Sequence, residues 1–143
     1  MQEPTFESRE RIEAARAGRA FEAAARGLWC AGSLEGLGRS CVAIVGTRAA
    51  TPYGRRLAAW FAAELGRSGC CVVSGLALGI DAAAHEGALE AGAPTVGILG
   101  SGHHRFFPRR NRGLAERILA AGGAVLSPYA PDQGGPAVAV FGA

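Results

Sequence analysis

Two short stretches carry residue types suited to holding an anion. Gly46-Thr47-Arg48 follows the apolar run Val42–Val45, and Ser74-Gly75 follows Cys71–Val73. Glycine lets backbone come close to a ligand, and hydroxyls with free N–H groups at a helix start suit a phosphate. Arg48 adds a planar guanidinium fork for a bidentate phosphate contact. On the first turn alone, an anion site and a tight turn with a surface arginine weigh about equally. The repeat of the pattern in the second turn favours a site. A third turn, Gly100-Ser101-Gly102-His103-His104-Arg105-Phe106-Phe107-Pro108, follows the run 95–99. Arg105, Arg109, Arg110 and Arg112 surround Phe106 and Phe107 there. Basic groups among aromatics suit single-stranded nucleic acid, through phosphate contacts and base stacking. The alternative is a solvated turn in which one phenylalanine anchors the next helix in the core.

The second turn continues Gly79-Ile80-Asp81 and reaches His85 one helical turn later. Asp81 in a first turn complements the helix dipole, and His85 at i+4 shares its side. No Ser or Cys nucleophile is placed to complete a triad, so Gly79, Asp81 and His85 read as structural or ligand-orienting, and no catalytic residue is assigned. His103 and His104 are adjacent in a loop without a third ligand, which argues against a metal. Gly46-Thr47-Arg48 is not GxGxxG, strand two ends in Ser74 and not an acid, and no Walker A pattern occurs. No cofactor is therefore expected.

The elements that must position these groups alternate strand and helix. Strands are predicted at Cys41–Val45, Cys70–Val73, Thr95–Leu99 and Ala124–Leu126. Helices are predicted at Pro52–Ser68, Gly79–Ala91 and Pro108–Ala121. The first helix would present Leu57, Trp60, Phe61 and Leu65 as one face. Right-handed crossovers then give a mainly parallel sheet in a three-layer, Rossmann-like α/β sandwich. The strands are expected in the order three-two-one-four, with the Gly46 turn at the switch point. Residues 6–27 read as a solvated helix and Leu28–Gly32 as a short strand. The chain is thus divided into an N-terminal segment, 1–40, and an α/β domain, 41–143.

The 143 residues suffice for one domain with a core, being 49% hydrophobic and 19% charged. All 15 basic residues are arginine, which with the Ala and Gly excess fits GC-rich codon use. The net charge of +3 lies entirely in 41–143, which permits a nucleic-acid partner. The four cysteines have no metal-type spacing and read as structural thiols of a reducing cytoplasm. No apolar run reaches ~18 residues, and the charged N-terminus lacks a secretion signal.

Taken together, VAIVGTRAATPYG, VVSGLALGIDAAAHEGALEAG, GILGSGHHRFFPRRN and GGAVLSPYAP resemble the DprA/Smf family of bacterial DNA-processing proteins. They keep the family's order and spacing over residues 42–131, and the SGLAxGID-xxAH string is highly specific. The resemblance implies an extended Rossmann domain without established catalysis. It implies binding of incoming single-stranded DNA during natural transformation, and loading of the RecA recombinase upon it. The Arg of the family's VG(S/T)R turn and neighbouring Gly-rich loops line a basic single-strand pocket. That carries over to Thr47 and Arg48, and more loosely to Ser74 and Gly75. With the third turn this gives Gly46, Thr47, Arg48, Ser74, Gly75, Gly100, Gly102, Arg105 and Phe141 as the expected nucleic-acid-binding set. Ser127-Pro128 stands where the family has Ser-Glu. Phe141 falls at a family phenylalanine that is followed by Pro-x-Arg-Asn-Arg and the second half of the sheet. The chain therefore reads as a fragment lacking that element and the surface of the family's homodimer. Two alternatives stand beside this reading. One is a nucleotide-processing enzyme of the lysine-decarboxylase-like group, whose PGGxGTxxE string is absent here. The other is a non-functional remnant whose core still folds.

Overall fold

The computed structural model describes residues 1–18 and 26–135. Six strands, β1 (Thr5–Ser8), β2 (Gly27–Gly32), β3 (Cys41–Ala43), β4 (Cys71–Ser74), β5 (Thr95–Ile98) and β6 (Ala124–Ser127), form one sheet. Four helices accompany them: α1 (Arg9–Ala15), α2 (Pro52–Arg67), α3 (Ile80–Glu90) and α4 (Arg112–Ala120). The fold is the mixed α/β class that the strand–helix alternation predicts, with β3, β4, β5 and β6 parallel.

The helix starts follow from local chemistry. Thr51 caps α2, its hydroxyl accepting from Gly54 N at 3.0 Å, with Pro52 in the first turn. Gly69, Gly92 and Gly122 take left-handed φ just past the ends of α2, α3 and α4.

Alternation along the strands separates the two faces of the sheet. Cys71 and Leu126 pack with Ile12 of α1 and Leu37. Val72 packs with Ala62 of α2 and with Ala84 and Ala88 of α3. Val125 packs with Leu114 and Ile118 of α4. Three layers result, with α2, α3 and α4 on one face.

The strand order corrects the sequence reading. The sheet runs β1-β2-β6-β5-β4-β3, so the parallel strands stand in simple sequence order and β3 lies at the edge. The Gly46 turn therefore lies beyond an edge strand and not at a switch point. Each crossover moves one strand over in the same direction, which is why all three crossover helices share a face.

The N-terminal reading also changes. Thr5–Ser8 is a strand and not part of a helix, pairing antiparallel with β2, which in turn pairs antiparallel with β6. Phe6 meets Trp29 edge to face at 5.5 Å, a cross-strand contact that helical spacing could not supply. The helix then starts after Ser8, whose hydroxyl accepts from Arg11 N.

The apolar face expected for α2 is only partly used. Trp60 and Phe61 are 57% and 51% exposed, whereas Ala58, Ala62, Ala63 and Gly66 are buried. Small residues win this contact because α2 and α3 pack backbone to backbone. A Cβ on Gly87 would sit 2.1 Å from Ala59 O.

Candidate nucleic-acid interface

β3, β4 and β5 all end at one rim of the sheet, and a single side chain joins the first two turns there. Asp81, in the first turn of α3, is 6% exposed. Its Oδ1 accepts from Gly46 N at 3.2 Å and its Oδ2 from Gly75 N at 3.0 Å. One carboxylate thus spans both Gly turns. The two amides that the sequence offers to a phosphate are engaged by the protein itself.

The glycines follow from this closeness. A Cβ on Gly75 would lie 2.8 Å from Asp81 Oδ2, and one on Gly46 2.8 Å from Ile80. Gly79 has φ +83°, and a Cβ there would meet Thr47 O at 2.4 Å. Thr47 O accepts from Ile80 N at 3.1 Å, so the first turn is seated on the start of α3.

Ser74 is buried, and its hydroxyl donates to Ile44 O at 2.5 Å, tying β4 to the end of β3. Thr47 and Arg48 are exposed, with Thr47 Oγ1 accepting from Ala49 N at 3.1 Å. His85 does not pair with Asp81. It is fully buried, with Nδ1 2.9 Å from Thr95 Oγ1, whose own proton goes to Val72 O at 2.7 Å. Nδ1 is therefore the donor, and burial lowers the ring's pKa to about 4.

The third turn is held largely by its own chain. Gly102 N donates to Gln133 O at 2.7 Å, and a Cβ on Gly102 would clash with Ala130 O and Pro131 O. Its tightness thus serves the 130–133 segment. His103 is buried with Nε2 2.8 Å from Val125 O, and burial lowers its pKa. His104 is exposed, between Asp132 and Glu3 at 2.9 Å each; these hydrogen bonds raise its pKa. Among the described residues no cluster of metal-ligating side chains forms. Phe106 is buried in the α4 core, while half-buried Phe107 turns to the rim.

Two adjoining hollows open at this rim. Arg48, Gly75, Ala77, Leu78, Gly100, Phe107 and Pro108 line a small one of about 120 Å³. Arg48 and Leu78 also border a larger groove of about 490 Å³, where Arg55 and Arg110 join them and Glu86 is the acid present. The geometry brings Arg48, Gly75 and Gly100 together. Ser74 and Gly102 stand behind the surface as struts, and exposed Gly46 lines neither hollow, its amide engaged by Asp81. Arg105 is exposed but lines neither hollow. Phe141 lies outside the described residues. Arg55 was absent from the sequence-derived set. It stands one turn into α2, seven residues after Arg48, and that helical position was the available signal.

A Rossmann-like sheet with a basic rim defines the class of protein. The comparisons then place it. The family model of DNA recombination-mediator protein A matches residues 10–140, and this chain belongs to that family. Protein Smf of Escherichia coli (strain K12) is 38% identical over 105 residues, 73% of this chain and 28% of that protein. Protein Smf of Synechocystis sp. is 46% identical over 88 residues, 62% of this chain and 22% of that protein. The chain thus spans about a quarter of the length of these relatives.

Among solved structures, DNA processing protein A from Helicobacter pylori, described for its unique single-stranded DNA binding mode, superposes with a TM-score of 0.69. It is 32% identical, and the match covers 79% of this chain and 51% of that one. DNA processing protein A from Streptococcus pneumoniae also gives 0.69, at 37% identity, over 77% of this chain and 38% of that one.

Proposed function

We propose that this chain binds single-stranded DNA along its arginine rim, as a DNA-processing module without catalysis of its own. The carrying observation is Arg48, which borders both hollows and shares the larger with Arg55 and Arg110. Guanidinium groups so placed suit phosphates, and Phe107 beside Arg48 offers a face for a base. The H. pylori relative, described as a single-strand binder, supports the same reading. Because Asp81 engages the Gly46 and Gly75 amides, arginines and not those amides carry the phosphate contacts in this proposal. In the cytoplasm such a module would present the strand to the RecA recombinase during transformation, the role that the family resemblance implies.

The test is fluorescence anisotropy with a labelled oligothymidine at two salt concentrations. Binding is expected to be weak and indifferent to sequence. Two or three phosphate contacts, each adding about −0.7, give a slope of log K against log salt near −2. Arg48→Ala is expected to weaken binding more than Arg67→Ala, since Arg67 pairs with Glu64 at the far end of α2. Equal losses for the two variants, or tighter binding to duplex, would overturn the proposal.

A further inference from the structure

At the opposite end of the same strands, away from the rim, two thiols face each other. Cys41 opens β3 and Cys71 opens β4, and the parallel pairing sets them directly opposite one another. Both are free thiols, and Cys41 packs against the cluster that contains Cys71. Paired strands lie ~4.8 Å apart, within the roughly 4.4–6.8 Å Cα separation that a disulfide spans. Cys70 is the neighbour in sequence, but it precedes β4 and stands opposite no residue of β3 in the register. Sequence adjacency would select Cys70–Cys71; the sheet selects Cys41–Cys71.

We propose that Cys41 and Cys71 form an oxidative modification site, closing to an intramolecular disulfide in the presence of a hydroperoxide. The two thiols are unequal. Cys71 is fully buried and its pKa is pushed up to about 12, first by burial and then by the nearby Cys41 thiol. Cys41 is half-buried, its thiol directed at Arg39 O at 3.5 Å. Cys41 therefore meets the oxidant and Cys71 resolves it.

Cys41 loses its proton, and its sulfur attacks one peroxide oxygen. The O–O bond breaks, and hydroxide leaves and takes up a proton to give water. The Cys71 sulfur then attacks the resulting Cys41 sulfenic acid; the S–O bond breaks, and the hydroxyl leaves as water with the Cys71 proton. Two thiols and one peroxide give one disulfide and two waters. The two electrons pass from sulfur to peroxide.

The bond would close a loop containing all of α2 and clamp β3, which has β4 as its one sheet neighbour among the described residues. It lies roughly 16 Å along the strand from the Gly46 turn, five residues at ~3.3 Å each, so it would stiffen the strand carrying Arg48 without occupying the rim.

The experiment treats the intact protein with hydrogen peroxide, removes the excess, alkylates under denaturing conditions and maps peptides without reduction. A linked pair carrying Cys41 and Cys71, lighter by two hydrogens and released by dithiothreitol, is expected in the wild type and in C70S. The oxidised wild type should melt several degrees above the reduced form, and C41S should show neither link nor shift. Cys41 is half-buried, so C41S keeps the core. Oxidation of Cys41 to sulfinic acid while Cys71 alkylates would overturn the proposal. So would a link through Cys70, links only between molecules, or no reaction at either thiol.

Discussion

Asp81 shows how a single acid organises the rim. This buried carboxylate accepts from two backbone N–H groups, so both of its oxygens are satisfied. Asp81→Asn keeps the shape but turns an amide NH₂ against one of those N–H groups. Hydrogen bonds to charged groups contribute about 1.5–3 kcal/mol, and a buried donor left unpaired adds a desolvation cost. The expected loss is about 2–4 kcal/mol in urea unfolding, with weaker oligothymidine binding because the Gly46 and Gly75 turns separate. The sequence singles out Ser74 and Gly75 as candidate phosphate groups and Asp81 as a structural or ligand-orienting acid. That the acid would consume the glycine amides was not legible there, because it requires the 35-residue separation between Gly46 and Asp81 to close in space.

Histidine protonation gives a second test at this scale. His85 has its folded pKa lowered from 6.5 to about 4, so the fold favours the neutral ring. Its contribution is fully present above about pH 6.5 and is lost as pH falls toward 4, by about 3 kcal/mol at most. His103, also lowered by burial, acts in the same direction. Exposed His104, raised by Asp132 and Glu3, acts in the opposite one: its contribution is present at low pH and lost as pH rises through its folded value. Urea midpoints measured from pH 7 down to 4.5 should fall in the wild type. The fall should be shallower in His85→Gln, which has no titrating ring. Parallel slopes for the two proteins would exclude His85 as a major source.

At the scale of elements, the glycines of the helices separate into two kinds. Gly87 in α3 lies against Ala59 backbone of α2, where a Cβ would come within 2.1 Å of the carbonyl. Gly113 in α4 has nothing within 4 Å. Gly87→Ala is therefore expected to push α2 off α3 and cost about 1–3 kcal/mol or more. Gly113→Ala should stabilise by roughly 0.4–1 kcal/mol through helix propensity and a less disordered unfolded chain. Thermal unfolding of the two variants reads both signs at once. The sequence shows both glycines inside helical patterns and does not distinguish them. The same limit explains α2: Leu57, Trp60 and Phe61 are the large apolar residues, yet the contact selects the small ones. The positions of the four parallel strands were legible from apolar runs closed by glycine. Their order was not, since a right-handed crossover fixes handedness but not which way along the sheet the next strand is laid. Pairing with β4 alone, among the described residues, is what marks β3 as an edge.

The whole molecule depends on an N-terminal strand that no motif announces. β1 closes the sheet beyond β2, so residues 5–8 cover an edge that would otherwise present unpaired backbone groups. Phe6 covers part of Trp29, and the Met1 amino group pairs with Glu116 of α4 at 2.7 Å. The surface ion pair contributes little, about 0–1 kcal/mol. The strand pairing carries more: a handful of net hydrogen bonds at about 1 kcal/mol each gives roughly 2–4 kcal/mol. Removal of residues 1–8 is therefore expected to lower the thermal midpoint and to promote self-association through the bared β2 edge. Trp29 reports the event directly once Trp60, already 57% exposed, is replaced by phenylalanine. In that background the shortened protein should emit at longer wavelength than the intact one, and light scattering should rise with concentration. An unchanged midpoint together with unchanged Trp29 emission would mean that β2 holds its place through β6 alone, and that β1 adds nothing to the sheet it borders.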